Sequence, residues 1–228
     1  MIVILIFSFF LLLLGFAVFF NPKKYTQEFN SFSIIIPCRN EENNLTILLN
    51  SIDRVNYPKV KYEVILIDDA SEDGTSEIIK QYCIRENNWH SILIREKNTE
   101  YKGKKYAIKL GVEKARFDNL IFTDADCRVP VNWLRSFNSY ISENTGMIVG
   151  YSPENKVSDF RRFTQILTAD FYCATINLGL PFSNNGRNLY INKKAYEKVG
   201  GVENIKYYTC GEDKLLLNLI KKTEYTIK

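Results

Sequence analysis

The chain of 228 residues is poor in the side chains that most often hold zinc or build a nucleophilic triad. It has one histidine, His90, set in an apolar run that reads as a strand, which argues against histidine-based acid–base chemistry. Its five cysteines, Cys38, Cys83, Cys127, Cys173 and Cys210, are odd in number, widely spread and without a Cys-x-x-Cys pair. Such an arrangement supports neither a disulfide framework nor a zinc site, and leaves burial as the default role. An excess of one charge is lacking too. Thirty Lys and Arg against 26 Asp and Glu give a formal net charge of +4, interspersed along the chain, so nothing calls for nucleic acid as a partner. Outside the N-terminus there is no internal repeat and no low-complexity tract.

The N-terminus is the exception to an ordinary globular composition. Residues 2–20 carry no charge, and 16 of them are Ile, Val, Leu or Phe. At roughly −0.4 kcal/mol each, these favour membrane insertion by about 6 kcal/mol, and a helix of this length nearly spans a hydrocarbon core of about 30 Å. No basic residue precedes the run and no small-residue cleavage pattern follows it, so an uncleaved anchor fits better than a secretory signal. Lys23 and Lys24 follow immediately. The expectation is therefore a single transmembrane helix over residues 1–21, a linker over residues 22–31, and one domain over residues 32–228 on the cytoplasmic side of the cell (inner) membrane.

In that domain strand and helix patterns alternate. Strands are expected at residues 32–36, 62–67, 90–94 and 120–123, with helices at 41–54, 74–86 and 104–115 between them. This order implies βαβ units and a doubly wound, mostly parallel α/β sheet. Beyond residue 126 the pattern gives helices at 131–141, 159–177 and 211–222 and strands at 147–150 and 189–192. Residues 224–228 look like the start of a further strand, which suggests a piece of a longer domain.

Chemistry gathers where strands end, the edge at which open α/β sheets place ligands. Asp124 and Asp126 close the fourth strand one residue apart; a solvated turn explains them, and so does a divalent cation, Mg²⁺ or Mn²⁺, that keeps both ionised and bridges to phosphate. The first strand stops at Pro37 and is followed by Arg39, Glu41 and Glu42. The second ends in Asp68-Asp69, followed by Ala70, Ser71, Asp73 and Gly74; helix capping accounts for Ser71 or Asp73 but leaves an acceptor for a base or sugar at 68 or 69. Gly103-Lys104-Lys105 is a basic turn opening a helix, suited to phosphate, and Gly211-Glu212-Asp213 opens the last helix with two acids, either dipole partners or, facing the crevice, a general-base candidate.

Taken in order, Ser33-Ile34-Ile35-Ile36-Pro37 with Arg39-Asn40-Glu41-Glu42, Asp68-Asp69-Ala70-Ser71 with Asp73-Gly74-Thr75, Gly103-Lys104, Asp124-Ala125-Asp126 and Gly211-Glu212-Asp213 resemble the family 2 glycosyltransferases of GT-A fold. The resemblance spans residues 32–222. It implies a nucleotide site lined by Pro37, Arg39 and Glu41, with Asp69 on the uracil edge and Lys104 near the diphosphate. It also implies Asp126 as direct metal ligand, Asp124 nearer the sugar or ribose, and Asp213 as catalytic base. The expected activity is inverting transfer from a nucleotide-diphosphate sugar, a UDP-sugar first, to a hydroxyl of a glycan or lipid-linked acceptor at the membrane. Residues 168–180 and 182–188, including Gly186-Arg187-Asn188, would shape the acceptor pocket, where Phe171 and Tyr172 could stack on a sugar or lipid or pack in the core. The Gln-x-x-Arg-Trp element of processive synthases is absent from this sequence. Two other classes share features with it: a Mg²⁺-dependent haloacid-dehalogenase-like phosphatase, whose Asp-x-Asp usually follows the first strand, and a non-catalytic membrane-bound nucleotide-sugar-binding or scaffold subunit.

Overall fold

The computed structural model describes Gly15 and residues 28–228 apart from Lys97, Asn155, Lys156 and Asn185. The expected anchor at residues 1–21 lies outside the described residues, save Gly15; among the described residues no helix is long and apolar enough to cross a membrane.

Seven strands form one sheet: β1 (Phe32–Cys38), β2 (Tyr62–Asp69), β3 (Trp89–Ile94), β4 (Asn119–Phe122), β5 (Thr145–Val149), β6 (Leu189–Asn192) and β7 (Thr226–Ile227). Their order is β3-β2-β1-β4-β6-β5-β7. β1, β2, β3 and β4 run parallel, and β6 is antiparallel to both β4 and β5. The sheet is thus mixed but mostly parallel. The central strands are buried on both faces, β2 along its whole length, which is why they read as unbroken apolar runs rather than alternating ones. The polar end of the sequence is β7, beside β5, so the strand pattern at residues 224–228 is a paired strand.

Helices cover both faces: α1 (Leu45–Asp53), α2 (Thr75–Arg85), α3 (Lys105–Lys114), α4 (Trp133–Asn138), α5 (Asp159–Asn177), α6 (Lys193–Lys198) and α7 (Glu212–Ile220). Alternate residues of β1 and β2 feed two cores. Ile34, Ile36, Val64 and Leu66 pack with Leu48, Leu49 and Ile79 from α1 and α2, while Ile35, Ile65 and Ile67 pack with Ile108 and Val112 of α3 and Leu217 of α7. A Cβ at Gly111 would sit 2.6 Å from Ile35 Cγ2, so glycine lets α3 lie directly on the sheet.

α1 and α6 depart most from the pattern-based expectation. α1 begins at Leu45, so Glu41 lies in the preceding turn rather than in a helix. The cause is that the N–H groups of Glu41 and Glu42 bond outward, to Thr75 Oγ1 (2.8 Å) and Asp73 Oδ2 (3.1 Å). α6 was not expected; its signal is Asn192, whose side chain accepts from the N–H groups of Lys194 and Ala195.

Candidate active site at the carboxyl edge of the sheet

β1 and β2 end side by side, and each is followed by a non-glycine residue in the left-handed region, Asn40 and Ala70, both at φ 54°. Such a conformation costs an alanine about 1 kcal/mol or more and persists only where neighbours over-determine it. Here they do. Asn40 N–H donates to Ser71 Oγ (3.1 Å), Glu72 N–H donates to Asn40 Oδ1 (2.8 Å), and Gly74 N–H donates to Glu42 Oε2 (2.8 Å). Asp73 Oδ1 accepts from the Thr75 N–H (3.0 Å) and hydroxyl (2.5 Å). Desolvation raises the Asp73 pKa, but the bonds it accepts together outweigh that and the net shift is downward. Most polar residues in the second turn therefore fasten the two strand ends together.

The acid pair 68–69 divides. Asp68 accepts from the Ser71 N–H (3.0 Å) and from the Ser76 hydroxyl, which commits it to the turn. Asp69, next along the strand, points to the opposite face, the side of α3, and is buried at the end of β2. Arg39 is exposed in the turn after β1. The Glu41 carboxylate receives Asn44 Nδ2 (2.9 Å), which ties it to the entry of α1.

A cleft of about 20 Å³ beyond β1 and β4 brings together Pro37, Lys104, Asp124, Gly186, Glu212 and Asp213 from five separate segments. Lys104 stands at its centre. Its ammonium contacts the Asp124 carboxylate and lies 3.3 Å from Glu212 Oε1. Burial pulls the Lys104 pKa down, but the two carboxylates outweigh it and the net shift is upward.

The turns that carry Lys104 and Asp213 are locked to each other. The buried Lys105 ammonium donates to the Tyr208 carbonyl (2.7 Å) and the Lys102 carbonyl (3.2 Å), and burial lowers its pKa. Lys102 N–H donates to the Lys206 carbonyl (2.9 Å). Gly103, at φ +65°, sits where a Cβ would be 3.1 Å from the Thr209 carbonyl oxygen. Gly211, at φ 76°, then turns the chain into α7 and sets Glu212 and Asp213 in its first turn. The Asp213 carboxylate packs on Gly186: a Cβ there would lie 3.3 Å from Oδ2. The Gly-x-Asn element and the acidic helix start, 27 positions apart in sequence, thus touch.

Asp126 is exposed in the turn that follows β4, two residues beyond Asp124. Among the described residues no group of three His, Cys, Asp or Glu side chains forms a ready metal cage. Asp124 and Asp126 nevertheless fit Mg²⁺ or Mn²⁺, which take one or two carboxylates and fill the remaining positions with water and substrate phosphate. Asp126 is the freer of the two, because Asp124 already faces Lys104.

A second hollow, of about 830 Å³, opens between α4 and α5. Thr168, Tyr172 and Cys173 of α5 line it together with Arg187 and Asn188; it shares no lining residue with the cleft around Lys104. Asn188 is pinned: its Oδ1 receives Trp133 Nε1 (2.8 Å) and its Nδ2 donates to the Tyr151 carbonyl (2.9 Å). Phe171 is 38% exposed on the other side of α5 and is neither core nor cavity wall. Tyr151 and Lys228, which no motif marked, also border the hollow; only the fold brings them there.

Comparison with known proteins assigns this architecture. Residues 33–201 match the model of the family described as "Glycosyl transferase family 2", and the chain belongs to that family. The phosphatase alternative falls with that assignment. Glycosyltransferase AglE of Haloferax volcanii is 33% identical over 178 residues, covering 75% of this chain and 56% of AglE. The 4,4'-diaponeurosporenoate glycosyltransferase of Staphylococcus haemolyticus is 36% identical over 107 residues, 47% of this chain and 27% of that protein. The chain thus spans about half or less of the length of these relatives. Among solved structures, the mannosyltransferase PcManGT from Pyrobaculum calidifontis, in complex with GDP-Man and Mn²⁺, superposes with a TM-score of 0.70 at 20% identity over 95% of this chain and 61% of its own. S. aureus TarS 1–349 in complex with UDP does so with a TM-score of 0.62 at 19% identity, over 86% of this chain and 56% of its own. The fold is GT-A.

Proposed function

We propose that the chain carries the donor-binding and catalytic half of an inverting glycosyltransferase that takes a nucleotide-diphosphate sugar, UDP-linked first, and transfers the sugar to a hydroxyl of a glycan or lipid-linked acceptor. One observation carries the proposal: the Asp213 carboxylate lines the same cleft as Lys104 and Asp124 and packs against Gly186. Among the described residues the cleft offers Asp213 as a carboxylate base and no nucleophile paired with a base, which suits single displacement. Asp213 takes the proton of the acceptor hydroxyl; that oxygen attacks the anomeric carbon as the bond from this carbon to the diphosphate breaks, and the nucleoside diphosphate leaves. Attack opposite the leaving group inverts the anomeric centre.

The other residues serve the donor. Pro37, Arg39 and Glu41 border the nucleotide, Asp69 accepts from the base edge, and Lys104 meets the diphosphate, where its charge offsets the negative charge that develops. Asp126 would hold Mg²⁺ or Mn²⁺, with Asp124 toward the sugar or ribose, and the bound cation would supply Lewis-acid stabilisation of the leaving diphosphate. Two relatives of this fold support the donor and metal: PcManGT was solved with GDP-Man and Mn²⁺, and TarS with UDP. The apolar residues 2–20 followed by Lys23 and Lys24 support a site on the cytoplasmic face of the inner membrane.

Titration calorimetry of UDP with and without Mn²⁺ tests the site. Binding that needs the metal and is lost in Asp126→Ala is expected. Equal UDP binding by Asp126→Ala, or transfer that survives Asp213→Asn, removes the corresponding assignment.

A further inference from the structure

Stability alone gives no reason for a lysine at position 105. Its side chain is fully buried, and withdrawing an ammonium from water is unfavourable unless its three protons find acceptors. It is also the first residue of α3, where the helix dipole opposes a positive charge, and the first turn of that helix carries no acidic side chain as an offset. The partners it has are the Tyr208 carbonyl (2.7 Å), the Lys102 carbonyl (3.2 Å) and, at 4.0 Å, Glu212 Oε2. Two of the three belong to the start of α7 and the turn before it.

That turn has little else to hold it. Residues 207–210 are all exposed, with Tyr207 and Tyr208 72% and 57% open to solvent. Gly211 follows in the left-handed region, and among the described residues no side chain caps α7. The buried residues of the helix begin at Leu216, three positions beyond Asp213. Asp213 therefore stands in a first turn that neither a cap nor apolar packing fixes, the part of a helix that frays first. The other ties to α3 and its turn act earlier in the chain. Lys102 N–H donates to the Lys206 carbonyl, and the Lys206 ammonium pairs with Glu100 and Glu203, two exposed acids whose hold on a lysine is weak in water. The bond from Lys105 to the Tyr208 carbonyl anchors the segment where it is otherwise loose.

We infer that Lys105 is a positioning residue: through the Tyr208 carbonyl and Glu212 it sets where the Asp213 carboxylate stands relative to Lys104 and Gly186. The inference rests on reading Asp213 as the base. Lys105 itself is too deeply buried to touch substrate. Because Lys104 is its neighbour in the chain, the base and the cation for the diphosphate are referred to one fixed point. A shift of the base by about 1 Å lowers the rate by about 10²-fold while donor contacts persist.

Lys105→Met keeps the bulk of the side chain and removes the ammonium. The test follows hydrogen exchange along the full chain, calorimetry of UDP with Mn²⁺, and UDP release from UDP-glucose and UDP-N-acetylglucosamine with water as acceptor, with Asp213→Asn alongside. Amides 208–215 are expected to exchange about ten-fold faster or more while those of the strands are unchanged. UDP affinity should stay within about two-fold, and kcat for UDP release should fall about 10- to 100-fold at unchanged KM. Gly103→Ala places a methyl 3.1 Å from the Thr209 carbonyl oxygen, so it disturbs the same junction with Lys105 intact and should lower kcat in the same way. Unchanged exchange at 208–215 in Lys105→Met overturns the anchoring, whatever sugar the protein accepts. Faster exchange there with undiminished kcat overturns the positioning. Faster exchange throughout the domain, with UDP binding lost, makes Lys105 a general support of the fold and overturns it as well. If Asp213→Asn releases UDP as fast as the unsubstituted protein, the base assignment fails instead, and exchange still decides whether Lys105 holds the turn.

Discussion

Lys104→Met separates the two charges that Lys104 satisfies from the donor it would meet. At 3.3 Å from Glu212 the ammonium contributes a gross attraction of about 5 kcal/mol at an effective dielectric of about 20, with the Asp124 contact adding a similar amount. Desolvation of a half-buried lysine removes most of this, yet its deletion leaves Asp124, Glu212 and Asp213 facing one another around the cleft. A net loss of about 2 kcal/mol follows, which lowers Tm by about 4–8 °C in a domain of this size. The variant also exposes the acids to any cation supplied. Mn²⁺ without nucleotide should raise the Tm of Lys104→Met more than that of the unsubstituted protein, while UDP binding in the presence of Mn²⁺ weakens about ten-fold or more because a diphosphate contact is gone. Differential scanning fluorimetry over a Mn²⁺ series and calorimetry with UDP read both effects. Equal Mn²⁺ stabilisation of the two proteins would refute the idea that Lys104 and the metal neutralise the same carboxylates, and undiminished UDP affinity would remove Lys104 from the diphosphate site.

Other outcomes follow from the same geometry. Gly186→Ala puts a methyl 3.3 Å from Asp213 Oδ2, so the base shifts by a few tenths of an ångström; transfer should fall about ten-fold with donor binding intact, and loss of donor binding instead would show that Gly186 serves the nucleotide. Asp213→Asn should reduce the transfer rate about 10²- to 10⁴-fold at unchanged UDP affinity, measured by product formation and calorimetry in parallel. Gly111→Ala drives a Cβ to 2.6 Å from Ile35 and should destabilise the fold by about 1–3 kcal/mol without touching the cleft; a Tm within a degree of the unsubstituted value would mean that α3 can move off the sheet. The raised Lys104 pKa has a definite sign. The folded state holds this proton more tightly than the unfolded chain, so the contribution is complete below the ordinary lysine value of 10.5 and is lost as pH rises beyond it through the folded value. Alkaline unfolding curves should show this extra loss in the unsubstituted protein and not in Lys104→Met.

The parts of the fold that could be read in advance are those whose burial is continuous. β1, β2 and β4 sit in the centre of the sheet with helices on both faces, so their apolar runs are long enough to stand out and their carboxyl ends carry Pro37, Asp69 and Asp124. α5 was bounded correctly for a different reason: Ser158 caps it by accepting the Arg161 N–H, and its length makes the pattern unmistakable. What pattern alone left open was direction. The apolar residues of α5 have helical spacing, and spacing is the same whether the stripe faces a core or solvent; the fold sets Tyr172 toward the hollow and Phe171 away from it.

The acids of the site show the same limit. Asp68, Asp69, Asp73, Asp124, Glu212 and Asp213 look alike in sequence, each in a turn after a strand or before a helix. The structure sorts them by what satisfies them. Asp68 and Asp73 are used up by Ser71, Ser76 and Thr75, and Glu212 and Asp124 share Lys104. Asp213 borders the cleft beside a glycine that offers it no side chain. A carboxylate left to meet substrate is what a general base requires, because an acid committed to a helix cap or an ion pair must break that interaction before it can take a proton. The buried Lys105, fixed to the Tyr208 and Lys102 carbonyls, keeps that arrangement by holding the turn before α7 against the turn before α3, so Lys104 and Asp213 are positioned by one lock rather than by two independent loops.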